Sequence, residues 1–244
     1  MGTYFFLVIL IVTLLFVLRR YFLYRALDYK KLIRYNPITT ENTIIAFDLH
    51  DVLVRYDYKE IFHLLYKNPK KFTLLISLLN PLLWFDLIKL FTNNAVAEQY
   101  IVILGNKYKK LQPHIPMGVE IANSQLPVPQ MVDLLKYLKK LGYELHLFSN
   151  IGAEIFEALK LKLPNLFHYF DSLSIPSQKN GYLRKPYQNA FDNFLSQHDT
   201  MKKQVIFIDD KKKNIKKAQE NKIIGIHFRS PCQIKRELEE IGVI

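Results

Sequence analysis

Four short segments, spread along most of the chain, constrain its fold more than any other feature. Residues 44–53, 145–150 and 205–210 each form an apolar run that stops at a small polar or acidic residue, and Lys185-Pro186 lies between the last two runs. A buried parallel strand has this pattern, because both of its faces are covered and its last side chains reach the rim of the sheet. The sequence therefore predicts a parallel sheet whose strand ends carry the chemistry.

In order and spacing, these segments resemble the haloacid dehalogenase superfamily, whose commonest members are Mg²⁺-dependent phosphatases. The resemblance covers residues 43–244. In that family the first run ends in a nucleophilic aspartate that becomes a phosphoaspartate, and Asp48 stands at this position. The second run ends in Ser or Thr, matched by Ser149 with Asn150 after it, and the third segment is a lysine, matched by Lys185.

The fourth segment of the family is an acidic pair that closes a strand, and Asp209 and Asp210 match it. The resemblance implies that Asp48, Asp210 and the backbone carbonyl of His50 bind Mg²⁺, with Asp209 beside a metal-bound water. A divalent cation suits the chemistry, because a phosphomonoester dianion repels a carboxylate nucleophile and Mg²⁺ prefers oxygen ligands.

The resemblance also implies that Ser149 and Lys185 hold the phosphoryl oxygens, the serine by hydrogen bonds and the lysine as a point charge. Lys185 would also keep Asp48 ionised. Each residue has a structural alternative as well. An aspartate after a strand often closes a turn or caps a helix, and an acidic pair before a helix caps it. Ser149 alone is typical of a turn, and Arg184 competes with Lys185 for the lysine position.

Two neighbouring positions depart from the pattern of the family. Two residues after the nucleophile, phosphatases of this superfamily carry the aspartate that protonates the leaving group and then activates water, but this chain has His50. A histidine with a pKa near ~6.5 can transfer protons near neutral pH, so His50 is the candidate acid/base. The next position, usually glycine, is Asp51. The alternative is a catalytically weak or inactive chain of the same fold, acting as a membrane adaptor or nucleic-acid-binding protein.

The segment 4–18 predicts a membrane anchor. Residues 1–18 contain no charged side chain, and a helix of this length spans ~27 Å, close to the ~30 Å hydrocarbon core of a bilayer. The basic residues follow the apolar run: Arg19, Arg20, Arg25, Lys30, Lys31 and Arg34. The positive-inside rule then places the rest of the chain in the cytoplasm. The alternatives are a cleaved signal peptide, which wants basic residues before the run, and a buried helix of the globular domain.

Composition agrees with an anionic partner. The 244 residues carry a net charge of +12, which suits a lipid headgroup surface, a phosphorylated substrate or nucleic acid. We expect a small phosphorylated substrate and the membrane as partners, and we do not expect nucleic acid. The single cysteine, Cys232, excludes an intrachain disulfide within this sequence and suits a reducing compartment.

The motifs divide the chain into an anchor and basic stem (1–35), a core (36–53 and 131–244) and an insertion (54–130). This insertion is far longer than a βα loop needs, and in the resembled family an insertion here is a helical cap. We predict helices over 59–66, 71–91 and 95–111, with prolines 113, 116, 127 and 129 breaking the return. The uncharged segment 72–85 is predicted to pack in the cap; the alternative is contact with a bilayer or a lipid-like substrate.

The rest of the core alternates helix and strand. We predict helices over 131–141, 153–161, 186–197 and 211–221, and strands over 143–148, 171–175, 204–208 and 223–228. The predicted fold class is therefore α/β: a doubly wound parallel sheet, with a helical cap insertion and an N-terminal transmembrane helix. The strands that carry Asp48 and Asp210 should lie side by side. The predicted function is a membrane-tethered phosphatase of small molecules such as sugar phosphates; dehalogenases of the family work without metal and would not need the second acidic site.

Overall fold

The computed structural model describes residues 37–92, 97–198 and 203–244. The predicted anchor and stem, residues 1–35, lie outside these ranges. Within the described ranges, no single helix has both the length and the apolar composition to cross a membrane. The helices Lys71–Leu78 and Pro81–Ile88 meet that criterion only as a pair, and they are bent by 83° relative to each other.

The elements alternate as a doubly wound fold requires. The strands are Thr43–Phe47 (β1), Val54–Tyr56 (β2), Gln125–Pro127 (β3), Glu144–Phe148 (β4), Ser172–Ser174 (β5), Gln204–Asp209 (β6) and Ile224–His227 (β7). The α-helices are Tyr58–Lys67 (α1), Lys71–Leu78 (α2), Pro81–Thr92 (α3), Ala97–Lys107 (α4), Ile115–Asn123 (α5), Pro129–Leu141 (α6), Ala153–Lys162 (α7), Pro164–Phe167 (α8), Gln188–Ser196 (α9), Lys212–Glu220 (α10) and Pro231–Glu240 (α11).

The described residues form a five-stranded parallel sheet in the order β5-β4-β1-β6-β7. In β1, Ile45 pairs with Leu145 of β4 on one side and with Ile206 of β6 on the other. The chain builds one half of the sheet outward from β1 and the other half outward from β6. The order therefore reverses between β1 and β6, which is where ligands bind in open α/β sheets. The prediction that the Asp48 and Asp210 strands are neighbours is confirmed.

Helices cover both faces of the sheet, and alternation along β1 shows why. Ile45 and Phe47 pack into the larger apolar cluster, with α6, α7 and α11. Ile44 and Ala46 point to the opposite face and pack against α9 and α10. Successive side chains of a strand point to opposite faces, so a strand buried on both sides is apolar throughout. The parallel α/β fold that the sequence predicts is confirmed.

Helices α1–α5 and a 3₁₀ helix, Lys109–His114, lie between β2 and β3; we call these helices the cap. The prediction of one helix over 71–91 is wrong, because the chain breaks at Pro81. Proline disfavours the helical conformation of the residue before it, and Asn80 Oδ1 instead accepts a hydrogen bond from the Leu82 amide at 3.0 Å. The prediction that prolines 113 and 116 break the return is also wrong. Pro113 lies inside the 3₁₀ helix and Pro116 in the first turn of α5, where proline is tolerated.

Further elements differ from the sequence prediction. Helix α11 was not predicted, although Ser230 and Gln233 form a capping box at its start and a proline follows the cap residue. Helix α9 begins at Gln188 and not at Pro186. The antiparallel pair β2–β3 was also not predicted. It joins the two ends of the cap next to the end of β1.

Candidate functional site

Asp48 stands at the end of β1, where the backbone turns sharply away from the sheet. Its amide donates to the Ile208 carbonyl at 2.8 Å and extends the β1–β6 ladder by one residue. The amides of Leu53 and Val54 both donate to the Leu49 carbonyl, at 2.8 and 3.0 Å, and close the loop that follows. Asp51 has φ of 63°, a left-handed conformation that is easiest for glycine. The family preference for glycine at this position therefore has a conformational reason.

Three carboxylates meet at the β1–β6 boundary. Asp48, Asp209 and Asp210 each offer an oxygen, and these oxygens lie within 4.8 Å of one another. Both carboxylate oxygens of Asp210 are buried and have no hydrogen-bond partner among the residues that the structure describes. Burial and the neighbouring carboxylates Asp209 and Asp48 raise the pKa of Asp210 well above its usual value. A divalent cation would relieve both problems, so the donor set fits a hard metal ion.

Lys185 is the cationic centre of the site and is only 1% exposed. Its Nζ donates to the Phe148 carbonyl at 2.5 Å and to Asp209 Oδ2 at 2.7 Å, and it lies 3.1 Å from Asp48 Oδ1. Burial opposes the charge of Lys185, but the two carboxylates outweigh burial and raise the pKa of its ammonium. Burial likewise opposes ionisation of Asp48, yet Lys185 leaves the pKa of Asp48 below its usual value. The site therefore presents Asp48 as a carboxylate.

Asp209 is used differently from Asp210. Besides Lys185, it accepts hydrogen bonds from the Lys211 amide at 2.7 Å and from Asn214 Nδ2 at 3.0 and 2.9 Å. These donors fix the start of α10 against the end of β6. We call Asp48, Lys185, Asp209, Asp210 and Asn214 the strand-end cluster. The sequence predicted no role for Asn214, although an amide one helical turn after an acidic pair is a usable signal.

Ser149 and Asn150 follow β4 on the other side of β1. The Ser149 amide donates to the Ser174 carbonyl at 3.1 Å. The buried hydroxyl oxygen of Ser149 accepts a hydrogen bond from the Ile151 amide at 3.4 Å. Asn150 holds the backbone of Lys185 at two points: Nδ2 donates to the Lys185 carbonyl and Oδ1 accepts from the Lys185 amide, both at 2.8 Å. Asn150 thus positions the loop that delivers the lysine.

His50 lies beside Asp48 and is held by a residue that the sequence analysis missed. Gln125 Nε2 donates to the Ala122 carbonyl at 2.5 Å, which turns Gln125 Oε1 toward His50 Nδ1 at 2.8 Å. His50 Nδ1 must therefore donate, and Nε2 is the ring nitrogen left for proton transfer. The ring stacks near Tyr56, and burial lowers the pKa of His50. Since 75 residues separate His50 from Gln125, local sequence carries no signal for this contact.

A cavity of about 460 Å³ opens above the strand-end cluster and runs into the cap. The core side contributes Lys211 and all the predicted catalytic residues, which are Asp48, His50, Ser149, Asn150 and Lys185. The cap side contributes mainly aliphatic side chains. The structure thus brings the predicted catalytic residues to one wall of one cavity.

The chain belongs to the haloacid dehalogenase-like hydrolase family. The family model with this description matches residues 85–227, more than half of the chain. The match includes the positions of Ser149, Lys185, Asp209 and Asp210, and it begins after Asp48. The family predicted from the four segments is confirmed.

One curated relative is similar over part of its length. The sesquiterpene phosphatase astK of Aspergillus oryzae is 29% identical over 115 residues, which are 47% of this chain and 57% of that protein. The matched region thus spans little more than half of the relative.

Solved structures share the fold at low sequence identity. L-2-haloacid dehalogenase of Xanthobacter autotrophicus, with chloropropionic acid covalently bound, gives a TM-score of 0.53 at 14% identity and 85% coverage of both chains. A predicted HAD-like family hydrolase of Porphyromonas gingivalis gives a TM-score of 0.52 at 18% identity, covering 81% of this chain and 98% of that one. These similarities support the fold alone.

Proposed function

We propose that this hydrolase is a Mg²⁺-dependent phosphatase that cleaves a phosphomonoester through a phosphoaspartate on Asp48. The observation that carries the proposal is the pairing of an ionised Asp48, held by Lys185 at 3.1 Å, with the buried carboxylate of Asp210, whose oxygens lack partners among the described residues. One carboxylate suits attack on phosphorus, and the other suits the cation that such an attack on a dianion requires.

Asp48, Asp210 and the backbone carbonyl of His50 are the proposed metal ligands, with Asp209 beside them. When bound, Mg²⁺ would offset the negative charge of the phosphoryl group and of the carboxylates. Lys185 Nζ keeps Asp48 ionised and, with the Ser149 hydroxyl, receives the phosphoryl oxygens. Asp209 and Asn150 keep the lysine in place.

The two half-reactions use the residues as follows. A carboxylate oxygen of Asp48 attacks phosphorus, the bond from phosphorus to the alcohol oxygen breaks, and the alcohol leaves with a proton. Water then attacks phospho-Asp48 and gives up a proton, which restores Asp48 and releases inorganic phosphate. In its imidazolium form His50 is the proposed donor of the first proton from Nε2, and the neutral ring that remains accepts the second proton there, because Gln125 occupies Nδ1 in both forms.

Two considerations favour a phosphatase over a dehalogenase. The Aspergillus oryzae relative is named a phosphatase. The second acidic position, Asp210, has a buried carboxyl group without partners in the described structure, which suits a metal-dependent phosphatase, whereas dehalogenases of the family work without metal and would not need it.

The test is a screen of the full-length protein against phosphomonoesters and 2-haloacids, with added Mg²⁺ and with a chelator. We expect phosphate release that needs the metal, no halide release, and loss of phosphate release in Asp48→Asn. Halide release without phosphate release would reject the phosphatase proposal. Equal phosphate release with the chelator and with Mg²⁺ would reject the metal.

We also propose that residues 4–18 anchor the chain in a membrane, with the hydrolase in the cytoplasm. The apolar run and the basic residues after it support this placement. The cap adds support, because Phe72, Leu82 and Phe85 are all more than half exposed on its outer surface. The full-length protein should stay with membranes after carbonate extraction, and a reporter fused after Ile244 should be cytoplasmic. Release by carbonate would reject the anchor, and a reporter on the other side of the membrane would reject the orientation.

A further inference from the structure

The cap side of the cavity is built from aliphatic side chains on every cap α-helix. One example from each, α1 to α5, shows the pattern: Leu65, Leu78, Leu87, Leu104 and Ile121. The volume of about 460 Å³ lies in the range of pockets that hold whole small molecules. Since Asp48 lines the same cavity, a phosphoryl group at the strand-end cluster leaves the rest of its substrate against these side chains.

Polar groups are scarce on that wall. Beyond the catalytic residues, the polar side chains lining the cavity in the described residues are Tyr56, Tyr58 and His114, with Lys211 and Asn214 on the core side. Tyr56 stacks near His50, so it belongs to the catalytic end. A sugar phosphate would place several hydroxyl groups against aliphatic carbon, and each hydroxyl group left without a hydrogen bond would weaken its binding. The wall therefore disfavours binding of the sugar phosphates that the sequence resemblance suggests as substrates.

We infer that the substrate is the monophosphate of a long-chain apolar alcohol, with its tail in the cap cavity and its phosphate at the strand-end cluster. This inference rests on the proposed phosphatase function and deepens it. An apolar tail buries carbon against Leu65, Leu78 and Leu87, which gains free energy with every methylene. The tail leaves no hydroxyl unpaired.

The adjacent residues Leu78 and Leu79 provide a matched test. Leu78 lines the cavity, whereas Leu79 is 73% exposed on the outside of the cap. Leu→Asn keeps the size of the side chain but adds an amide. The backbone carbonyl of Leu78, which accepts from Trp84 Nε1 at 2.6 Å, is unchanged in either variant. Trp84 is the single tryptophan of the chain and reports on the neighbourhood of the cavity.

The experiment titrates ethyl, hexyl, decyl and tetradecyl phosphonates, which cannot be hydrolysed as esters, into full-length protein and follows Trp84 fluorescence. All variants are measured under the same detergent or lipid conditions. Partitioning of the ligand into detergent or lipid then affects every variant equally and cancels from the ratio of their affinities. In Leu78→Asn we expect the decyl and tetradecyl affinities to fall by about tenfold to a hundredfold. The ethyl affinity should not change, and Leu79→Asn should match wild type throughout.

A defect in Leu78→Asn that is the same for every tail length, or an equal defect in Leu79→Asn, would overturn the inference. If Leu78→Asn does not fold, Leu65→Asn on α1, where the side chain also lines the cavity, gives the same comparison. The outcomes also separate this inference from the proposed function. Tail-dependent binding without any phosphate release would support the cavity and reject the phosphatase, while phosphate release without tail dependence would do the reverse.

Discussion

The strand-end cluster and the cap cavity meet at Asp48 but are built in opposite ways. In the strand-end cluster, buried polar side chains hold one another at hydrogen-bond distance, as Lys185 and Asn214 hold Asp209. In the cap, aliphatic side chains line a space and leave it open to a ligand. The first arrangement suits a reaction between fixed atoms, whereas the second suits recognition of shape and apolar surface. In the proposed function, chemistry and substrate selection are therefore carried by separate parts of the chain.

The two regions also differ in how they are stabilised. The sheet of the core is covered on both faces, and β1 is wholly buried. The cap has apolar side chains on its inner and outer surfaces, as the neighbours Leu78 and Leu79 show. Because the strand-end cluster lies at the end of the covered sheet of the core, variants in the cluster should slow turnover of all substrates alike. Variants in the cap should change the affinity for long tails alone.

The largest expected effect comes from Asp48, the proposed nucleophile. Asp48→Asn removes the attacking oxygen, so we expect kcat to fall by about 10⁴-fold or more for short and long tails alike. Binding of decyl phosphonate should persist, because the cap is unchanged. The measurement is phosphate release together with Trp84 fluorescence. Activity that survives in Asp48→Asn would remove the covalent mechanism.

The next effect is expected at His50, the proposed proton-transfer residue. His50→Ala should lower kcat by about 10²–10⁴-fold, the usual contribution of a general acid/base. His50→Asp, which restores the acidic residue of the resembled phosphatases, should keep or raise activity. Steady-state kinetics of the three proteins decide the matter. Equal, slow turnover by wild type and His50→Ala beside a fast His50→Asp would favour the weak-enzyme alternative.

Asp210→Asn should have opposite effects on the stability of the metal-free protein and on its activity with Mg²⁺. In the metal-free protein this substitution removes a buried carboxylate without partners in the described structure, so it should raise the free energy of unfolding by about 1 kcal/mol or more. The Mg²⁺ concentration needed for half-maximal activity should rise by about 100-fold, judged against the 10–100-fold typical of outer-shell residues. Denaturation in the presence of a chelator and activity titrated with Mg²⁺ are the measurements. A metal-free Asp210→Asn variant that is less stable than wild type would contradict the assignment of Asp210 as a metal ligand.

The smallest effect should come from Asn150, which acts through Lys185. Asn150→Ala frees the backbone of the lysine loop, and we expect kcat to fall about tenfold, the smaller end of the losses seen when a supporting residue is removed. Asn150→Asp keeps the acceptor for the Lys185 amide and should recover part of the loss. A change in the dependence on tail length, with kcat unchanged, would place Asn150 in recognition.

Four members of the strand-end cluster, Asp48, Lys185, Asp209 and Asp210, could be predicted from the sequence, because each ends an apolar strand or belongs to a short motif. The fifth member, Asn214, was assigned no role. Asp48, Ser149, Lys185 and Asp210 could be named from the chain alone, and the sheet then brought them together. Gln125 could not, since its partner His50 is distant in sequence and meets it only when β2 and β3 pair.

The cap shows the same limit on a larger scale. Helical periodicity indicates which residues are apolar, but Leu78 and Leu79 are chemically identical in the sequence. Which of them faces the cavity depends on how the helices pack, and the bend at Pro81 changes that packing. The cavity therefore depends on how the cap folds, whereas the predicted catalytic residues can be named from the sequence motifs of the core.

The most direct test of the central claim is the detection of phosphoryl-Asp48. Full-length protein turning over a long-chain alkyl phosphate with Mg²⁺ is quenched in acid, digested and analysed by mass spectrometry, with Asp48→Asn as the control. The account predicts one phosphoryl group on the peptide that contains Asp48, absent from the control. Turnover with no phosphorylated peptide, or with the phosphoryl group on another residue, would contradict it.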